Sequence, residues 1–342
     1  KRTWSRPRAR PPRDPRQDDD EHGATRPAAR RMPRRPPSRP TLDADQRSVI
    51  VDMGEQVHAQ VADLIAAPTE ERRAQLLRGL LFLGEAALPA LVQAFPGPLA
   101  WDRRAPKGPM PAGRDISVVA RAIVSFGERA VPYVASLMSS GDADVRFYAL
   151  LLGGELPHAD LIDAVAERIH DEDAGVRRTA CALLPRLSGY RGFEEVRVVL
   201  RRTARLRGKN PSRRWQAIDA IAALRDVEMI DKLIDLLDEQ DDEELIEHVH
   251  RALVILTCAD HGRSRRRWRA WHEKYGGRHR IEWLIEGLVH GDEAIRALAG
   301  AELERLTDQR YGYHAGAPRR ERERVHRRYR RWWEEEGRHR YA

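Results

Sequence analysis

The residues most able to do chemistry in this chain are arginines interleaved with aromatics. Arg265, Arg266 and Arg267 lead into Trp268 and Trp271, and Arg327, Arg328 and Arg331 surround Tyr329, Trp332 and Trp333. Such a mixture can grip phosphates and stack on bases. The spacing argues for another use of the rings. Trp268, Trp271 and Tyr275 fall at i, i+3, i+7, and Val325, Tyr329 and Trp332 at i, i+4, i+7. Each trio therefore occupies one helical face, packed inward, with the arginines on the solvated side. The outward arginines are the candidate contacts to a polyanion.

A second candidate is the stretch 96–114, rich in proline and glycine. Long irregular loops are uncommon inside compact arrays and often carry function. Trp101, Asp102, Arg103, Arg104, Arg114 and Asp115 are its candidate partner-binding residues, weighed against a role covering a gap between neighbouring units.

Catalytic patterns are missing. There is no Gly-x-Ser-x-Gly elbow, no phosphate-binding Gly-rich loop with lysine, no dinucleotide fingerprint and no His-Glu-x-x-His. His248 and His250 are two residues apart, which sends them to different faces of a helix. Cys181 and Cys258 are too few for a disulfide framework or a zinc site. The expectation is a non-enzyme without cofactor or metal.

The elements that must position these residues are helices. From residue 41 apolar residues return every three or four positions. One stripe is Val145, Ala149, Leu152 and Leu156, and another is Val176, Ala180, Leu183 and Leu187. A third is Val196, Val199, Leu200 and Thr203, and a fourth is Leu245, Val249, Ala252 and Leu256. Internal repeats set their arrangement. Gly84-Glu85-Ala86-Ala87-Leu88-Pro89 recurs as Gly127-Glu128-Arg129-Ala130-Val131-Pro132, and Asp142-Ala143-Asp144-Val145-Arg146 as Asp173-Ala174-Gly175-Val176-Arg177. An arginine with alanine three residues later recurs at Arg146/Ala149, Arg177/Ala180, Arg214/Ala217 and Arg296/Ala299. Leu256-Thr257 before Gly262 is repeated as Leu306-Thr307 before Gly312. The fold predicted is all-α, an α-solenoid of stacked helix pairs.

Charge divides the 342 residues into three. Residues 1–40 hold 13 Lys/Arg, 5 Asp/Glu and 9 prolines, and read as a disordered basic tail. Residues 41–262 hold helical repeats with a net charge of −8, and residues 263–342 hold basic, aromatic-rich helical repeats with a net of +8. The run Asp238 to Glu244 contains six acids and favours a basic partner there, while the basic ends favour an acidic one. No apolar run is long enough to cross a bilayer. The chain begins at Lys1, so its natural start is expected to be missing, and the lack of a leader weighs little.

These motifs resemble the HEAT-repeat family, particularly its bacterial, PBS-lyase-like branch. Asp-x-x-Val-Arg opening a helix, small alanines inside it and Gly-Glu-x-Ala-x-Pro between paired helices carry the resemblance over roughly residues 70–310. The duplicated Leu-Thr-x4-Gly with its Arg/Trp helix resembles a terminal module of some bacterial members. The resemblance implies a scaffold or adaptor that binds a protein partner along the solenoid, and Cys181 and Cys258, read as buried reduced thiols, lead to the expectation of a cytoplasmic protein. Nucleic-acid binding through the tail and the C-terminal Arg/Trp helices is the alternative. Two HEAT-type enzyme groups fit poorly. Deoxyhypusine hydroxylase needs several His-Glu pairs, where the helical part has only His272-Glu273. Alkylpurine DNA glycosylases leave a faint echo in Trp215 with Asp219.

Overall fold

In the computed structural model, residues 44–207, 210–239 and 241–341 are described, with side chains from residue 54 onward. The 1–40 tail lies outside the described residues. The chain divides into two compact units, Lys1–Val49 and Ile50–Ala342, and the helical stack belongs to the second.

Helix α1 (Ala44–Ala66) precedes α2 (Glu70–Phe82) and α3 (Leu88–Ala94). Beyond the long loop come α4 (Val118–Ser125), α5 (Val131–Met138), α6 (Ala143–Glu155), α7 (Ile162–Arg168) and α8 (Ala174–Leu187). Then come α9 (Phe193–Arg205), α10 (Ser212–Ala223), α11 (Ile230–Leu236), α12 (Glu243–Thr257) and α13 (Arg265–Tyr275). Helices α14 (Arg280–Gly287), α15 (Glu293–Thr307), α16 (Arg319–Trp332) and the short α17 (Arg338–Tyr341) complete it. No strand occurs among the described residues. Helices α5/α6, α7/α8, α9/α10 and α11/α12 pack as antiparallel-type pairs joined by short links. Successive pairs stack, so α4, α6, α8, α10 and α12 form one layer, and α3, α5, α7 and α9 the other. This is the predicted all-α solenoid of stacked helix pairs.

The repeated motifs are the hardware of that stacking. Gly84 and Gly127 take left-handed backbone (φ 62° and 61°), which costs glycine little. Each opens a tight turn, and Pro89 or Pro132 then starts the next helix where no N–H partner is needed. Asp142 and Asp173 cap α6 and α8, their carboxylates accepting from Asp144 N at 2.7 Å and Val176 N at 2.8 Å.

The repeat arginine reaches backward. Arg146 Nη1 donates to the carbonyls of Ser140 and Gly141 at 2.9 and 3.1 Å. Arg177 Nη1 does the same to Asp171 and Glu172 at 2.8 and 2.9 Å, and Arg296 Nη1 to His290 and Gly291 at 3.0 and 2.8 Å. Each thus satisfies two carbonyls of the turn before its own helix, whereas Arg214 reaches back to Ala204 O at the end of α9 at 3.3 Å. Arg146 also forms a buried bidentate pair with Asp171, both bonds 2.8 Å. Burial pushes the Asp171 carboxyl up, yet the Arg146 bonds outweigh this and hold it below its ordinary range. The alanines three residues on, Ala149, Ala180, Ala217 and Ala299, are wholly buried, giving neighbouring helices close approach.

One predicted seam differs. In α9 the buried positions are Phe193, Leu200 and Ala204, while Val198 and Val199 are more than half exposed. A period of 3.6 cannot distinguish the inward valine from its neighbours when three occur in five residues.

The C-terminal duplication is structural. Helices α12 and α15 both run 15 residues and both end on a left-handed residue, Cys258 (φ 53°) and Asp308 (φ 55°). Thr257 and Thr307 hydroxyls donate to the carbonyls four residues back, at 2.7 and 2.6 Å. Trp268 Nε1 then closes one turn by donating to Gly262 O at 2.7 Å, and Tyr329 Oη the other through Gln309 O at 2.8 Å. Trp268, Trp271, Val325, Tyr329 and Trp332 are buried, as their spacing predicts.

Glu302 of α15 ties this part to the central stack, accepting from Arg225 and from Arg280 at 3.1 Å each. Burial raises its carboxyl, but Arg305, Arg225 and Arg280 together bring it down to about 2. Its contribution is therefore present above the ordinary glutamate range and lost as pH falls through about 2. Glu302→Gln should destabilise by about 3 kcal/mol at pH 7, because two partly buried arginines lose their buried counter-charge. The gap between variant and parent should narrow on acidification, read from urea midpoints at neutral and acid pH.

Candidate functional site

Two cavities open on the α6/α8/α10/α12 layer. One, of about 780 Å³, lies between the 96–114 loop, α6 and α8, and the other, of about 580 Å³, crosses α8, α10 and α12. Arg178 and Ala182 line both, so they form one groove.

The groove has a row built by the repeat. Phe147, Arg178 and Trp215 each directly follow a repeat arginine, and so occupy one register on three neighbouring helices. Arg146 and Arg214 turn into the stack, Arg177 bridges its turn and also lines the groove, and the following residue lines the groove in each unit. Gly175, Thr179 and Ala182 keep the α8 stretch low.

At one end the loop is pinned. Arg103 pairs with Asp144 at 2.5 Å and with Asp173 at 2.9 Å, which joins the starts of α6 and α8. Its amide donates to Tyr148 Oη at 2.9 Å, and its guanidinium lies 5.0 Å from the Phe147 ring centre. Trp101 stacks on Phe147 at 6.4 Å. The Arg103 guanidinium pulls Asp173 down to about 2. Asp102 accepts from the Arg104 amide at 2.8 Å, and Arg104 pairs with Asp144 at 2.5 Å while remaining mostly exposed. Arg114 pairs with Glu155 on α6, and Asp115 lies 4.0 Å from Arg121. The six loop candidates are therefore split. Trp101, Arg103 and Arg104 line the groove, Asp102 shapes the turn beside them, and Arg114 and Asp115 sit at the other end of the loop.

At the far end, Trp215 is 9% exposed and stacks on His248 at 4.5 Å, while the Arg177 guanidinium lies 5.3 Å from its ring. Helices α8 and α12 flank α10 on either side, so the indole is held between them. His248 Nδ1 meets Asp219 Oδ1 at 2.7 Å, whereas His250 meets Asp260 at 2.8 Å, so the two histidines do part to different partners. Burial pushes the Cys181 thiol up to about 12, leaving no thiolate nucleophile in the groove. Among the described residues, no three His, Cys, Asp or Glu side chains gather as metal ligands would.

The C-terminal candidates also separate. Arg265 is engaged by Asp235 and Asp238 at 3.1 and 3.0 Å, and Arg328 lies 4.6 Å over Tyr311. Arg266, Arg267, Arg327 and Arg331 are exposed, with no carboxylate within 4.0 Å among the described residues. The acidic run is largely spent. Asp238 pairs with Arg265, Glu239 with Arg214 and Arg207, Asp241 with Arg207 and Glu243 with Arg263, while Asp242 caps α12. It does not present the free acidic face that its composition suggests.

Sequence reasoning missed Phe147, Arg178 and His248. A signal existed for the first two: the residue after the repeat arginine changes identity from unit to unit at a fixed register.

The HEAT-repeat family profile matches residues 162–254, which spans α7 to most of α12. The fold around that match is a HEAT-like solenoid of stacked helix pairs. No curated protein is significantly similar to it. Among solved structures, two engineered proteins from the Northeast Structural Genomics Consortium align at 18% and 17% identity, both with a TM-score of 0.29. These alignments cover 77% and 74% of this chain, and 60% and 97% of theirs. A computationally designed armadillo repeat protein for modular peptide recognition aligns at 16% identity and TM-score 0.27, covering 73% of this chain and 98% of its own.

Two predictions concern the loop. A Cβ on Gly113 would fall 2.4 Å from the Leu151 carbonyl oxygen, a backbone atom that cannot turn aside. Gly113→Ala should therefore lower stability by about 1–3 kcal/mol in chemical denaturation. Asp173 is depressed from 3.8, so its hold on Arg103 is full above that range and fades as pH falls through about 2. Asp173→Asn should expose the Arg103 amide to faster hydrogen exchange at pH 7, and unchanged protection would contradict the pinning.

Proposed function

We propose that this protein is a non-enzymatic adaptor that holds a partner polypeptide along the groove running from the 96–114 loop to α12. The observation that carries it is the row Phe147, Arg178 and Trp215, placed on one face by the repeat itself. Trp101, Arg103 and Arg104 close one end of that face and are the loop residues assigned to the partner site. The residue motifs further support the bacterial PBS-lyase-like branch and its C-terminal module. Two thiols that burial keeps protonated, Cys181 and Cys258, suit a reducing, cytoplasmic setting. No helix among the described residues is long and apolar enough to cross a membrane.

A photo-crosslinker at Ala182 in the groove, compared with one at Val198 on α9, tests this in the native cell. A discrete polypeptide adduct from Ala182 alone is expected. No adduct, or equal adducts from both positions, would rule the groove out as the partner site.

A second reading has its own observation. Arg320, Arg324, Arg327 and Arg331 recur at i, i+4, i+7, i+11 along α16, all exposed, with no carboxylate within 4.0 Å among the described residues. The stripe spans about 16 Å of helix and suits a row of phosphates. It favours nucleic acid as a further partner, with the exposed Arg266 and Arg267 of α13 as further candidates. Duplex DNA should then bind with a log–log salt slope near about −3.6 for four contacts. Arg327→Ser with Arg331→Ser should reduce that slope by about 2. No measurable binding at low salt would dispose of this reading.

A further inference from the structure

We infer that the centre of the groove is a seat for an acidic side chain of the bound polypeptide, with Arg178 as its principal contact and Arg177 beside it. The inference rests on the groove being the partner site.

The charge balance inside the groove runs opposite to that of the surrounding region. Residues 41–262 carry a net charge of −8, yet the groove is lined by six arginines against Asp173, Asp219 and Glu244. Most of these charges have partners. Arg103 and Arg104 are held by Asp144 and Asp173, Arg225 by Glu302, and Asp219 by His248. Arg178 is exposed, with no carboxylate within 4.0 Å among the described residues. Its neighbour Arg177 gives one nitrogen to the Asp171 and Glu172 carbonyls and has no carboxylate either. A guanidinium in a groove between aromatic side chains, lacking a counter-charge, is completed by a carboxylate from outside.

Three observations favour a polypeptide of modest acidity over a nucleic acid. The negative region repels a polyanion at long range, while one or two carboxylates gain from the local arginines. Trp215 is already held between Arg177 and His248, so it offers no face on which a base can stack. Ala182 is exposed and short, which lets a main chain come close to α8. The chain's own 1–40 segment, at a net of +8, carries the wrong sign for this seat.

The test uses the full chain as bait for a random dodecapeptide phage library. Ala182→Trp serves as a groove block, and circular dichroism melting confirms each variant is folded. Selected peptides should carry Asp or Glu at one or two fixed positions. Ala182→Trp should abolish their binding, and Arg178→Glu should weaken it at least tenfold while favouring the same peptide with lysine at the acidic position. Peptides blocked by Ala182→Trp but without acidic positions, or insensitive to Arg178→Glu, would overturn the acidic seat and leave the groove standing. Absence of any peptide blocked by Ala182→Trp would overturn both. A single-stranded 20-mer that binds more tightly than the peptides, and is lost in both variants, would overturn the choice of polypeptide.

Discussion

The stack depends on an arginine that folds back over the turn before it. A tight turn between paired helices holds carbonyls that no helical bond satisfies. Arg146, Arg177 and Arg296 solve this identically, each giving one nitrogen to the carbonyls five and six residues earlier. The remaining nitrogens can then bind the next unit, as Arg146 does through Asp171. The interaction therefore sets both the turn within a pair and the spacing between pairs. The small alanine three residues on obeys the same geometry, since the helix that carries the clamp must also lie close to its neighbour.

That arrangement separates turn-bridging from groove-lining positions by a single residue. Where the repeat arginine turns inward, as at Arg146 and Arg214, its successor lines the groove. The successor is free to vary, and it is Phe147, Arg178 and Trp215 in three consecutive units. The 96–114 loop joins this surface because Arg103 borrows the acidic starts of α6 and α8, where the helix dipole also favours its anionic partners Asp144 and Asp173. Fold and site are thus two outputs of one register.

The fold was legible because a solenoid is written locally. Apolar stripes, capping aspartates and the Gly-Glu-x-Ala-x-Pro turn all act within a few residues of where they are read. The inward aromatics were legible for the same reason, with Trp268 and Tyr329 buried where their periodicity places them. The site was legible only in part. Trp101, Arg103 and Arg104 stand out in an irregular loop, but Arg103's partners are 41 and 70 residues away, beyond any local pattern. Arg178 looks like one arginine among many until its lack of a counter-charge is seen. The acidic run 238–244 misleads in the opposite sense, because charge counted along a chain does not reveal which charges neighbour one another across it.

The arginine clamp and its carboxylate act as one unit holding the stack, and on that unit everything else rests. A double-mutant cycle on Arg146→Ala and Asp171→Ala, by equilibrium denaturation at pH 7, measures that coupling directly. A coupling of about 2–3 kcal/mol is predicted, the upper part of the range for residues sharing one network. A coupling under about 0.5 kcal/mol, the level of independent sites, would contradict it.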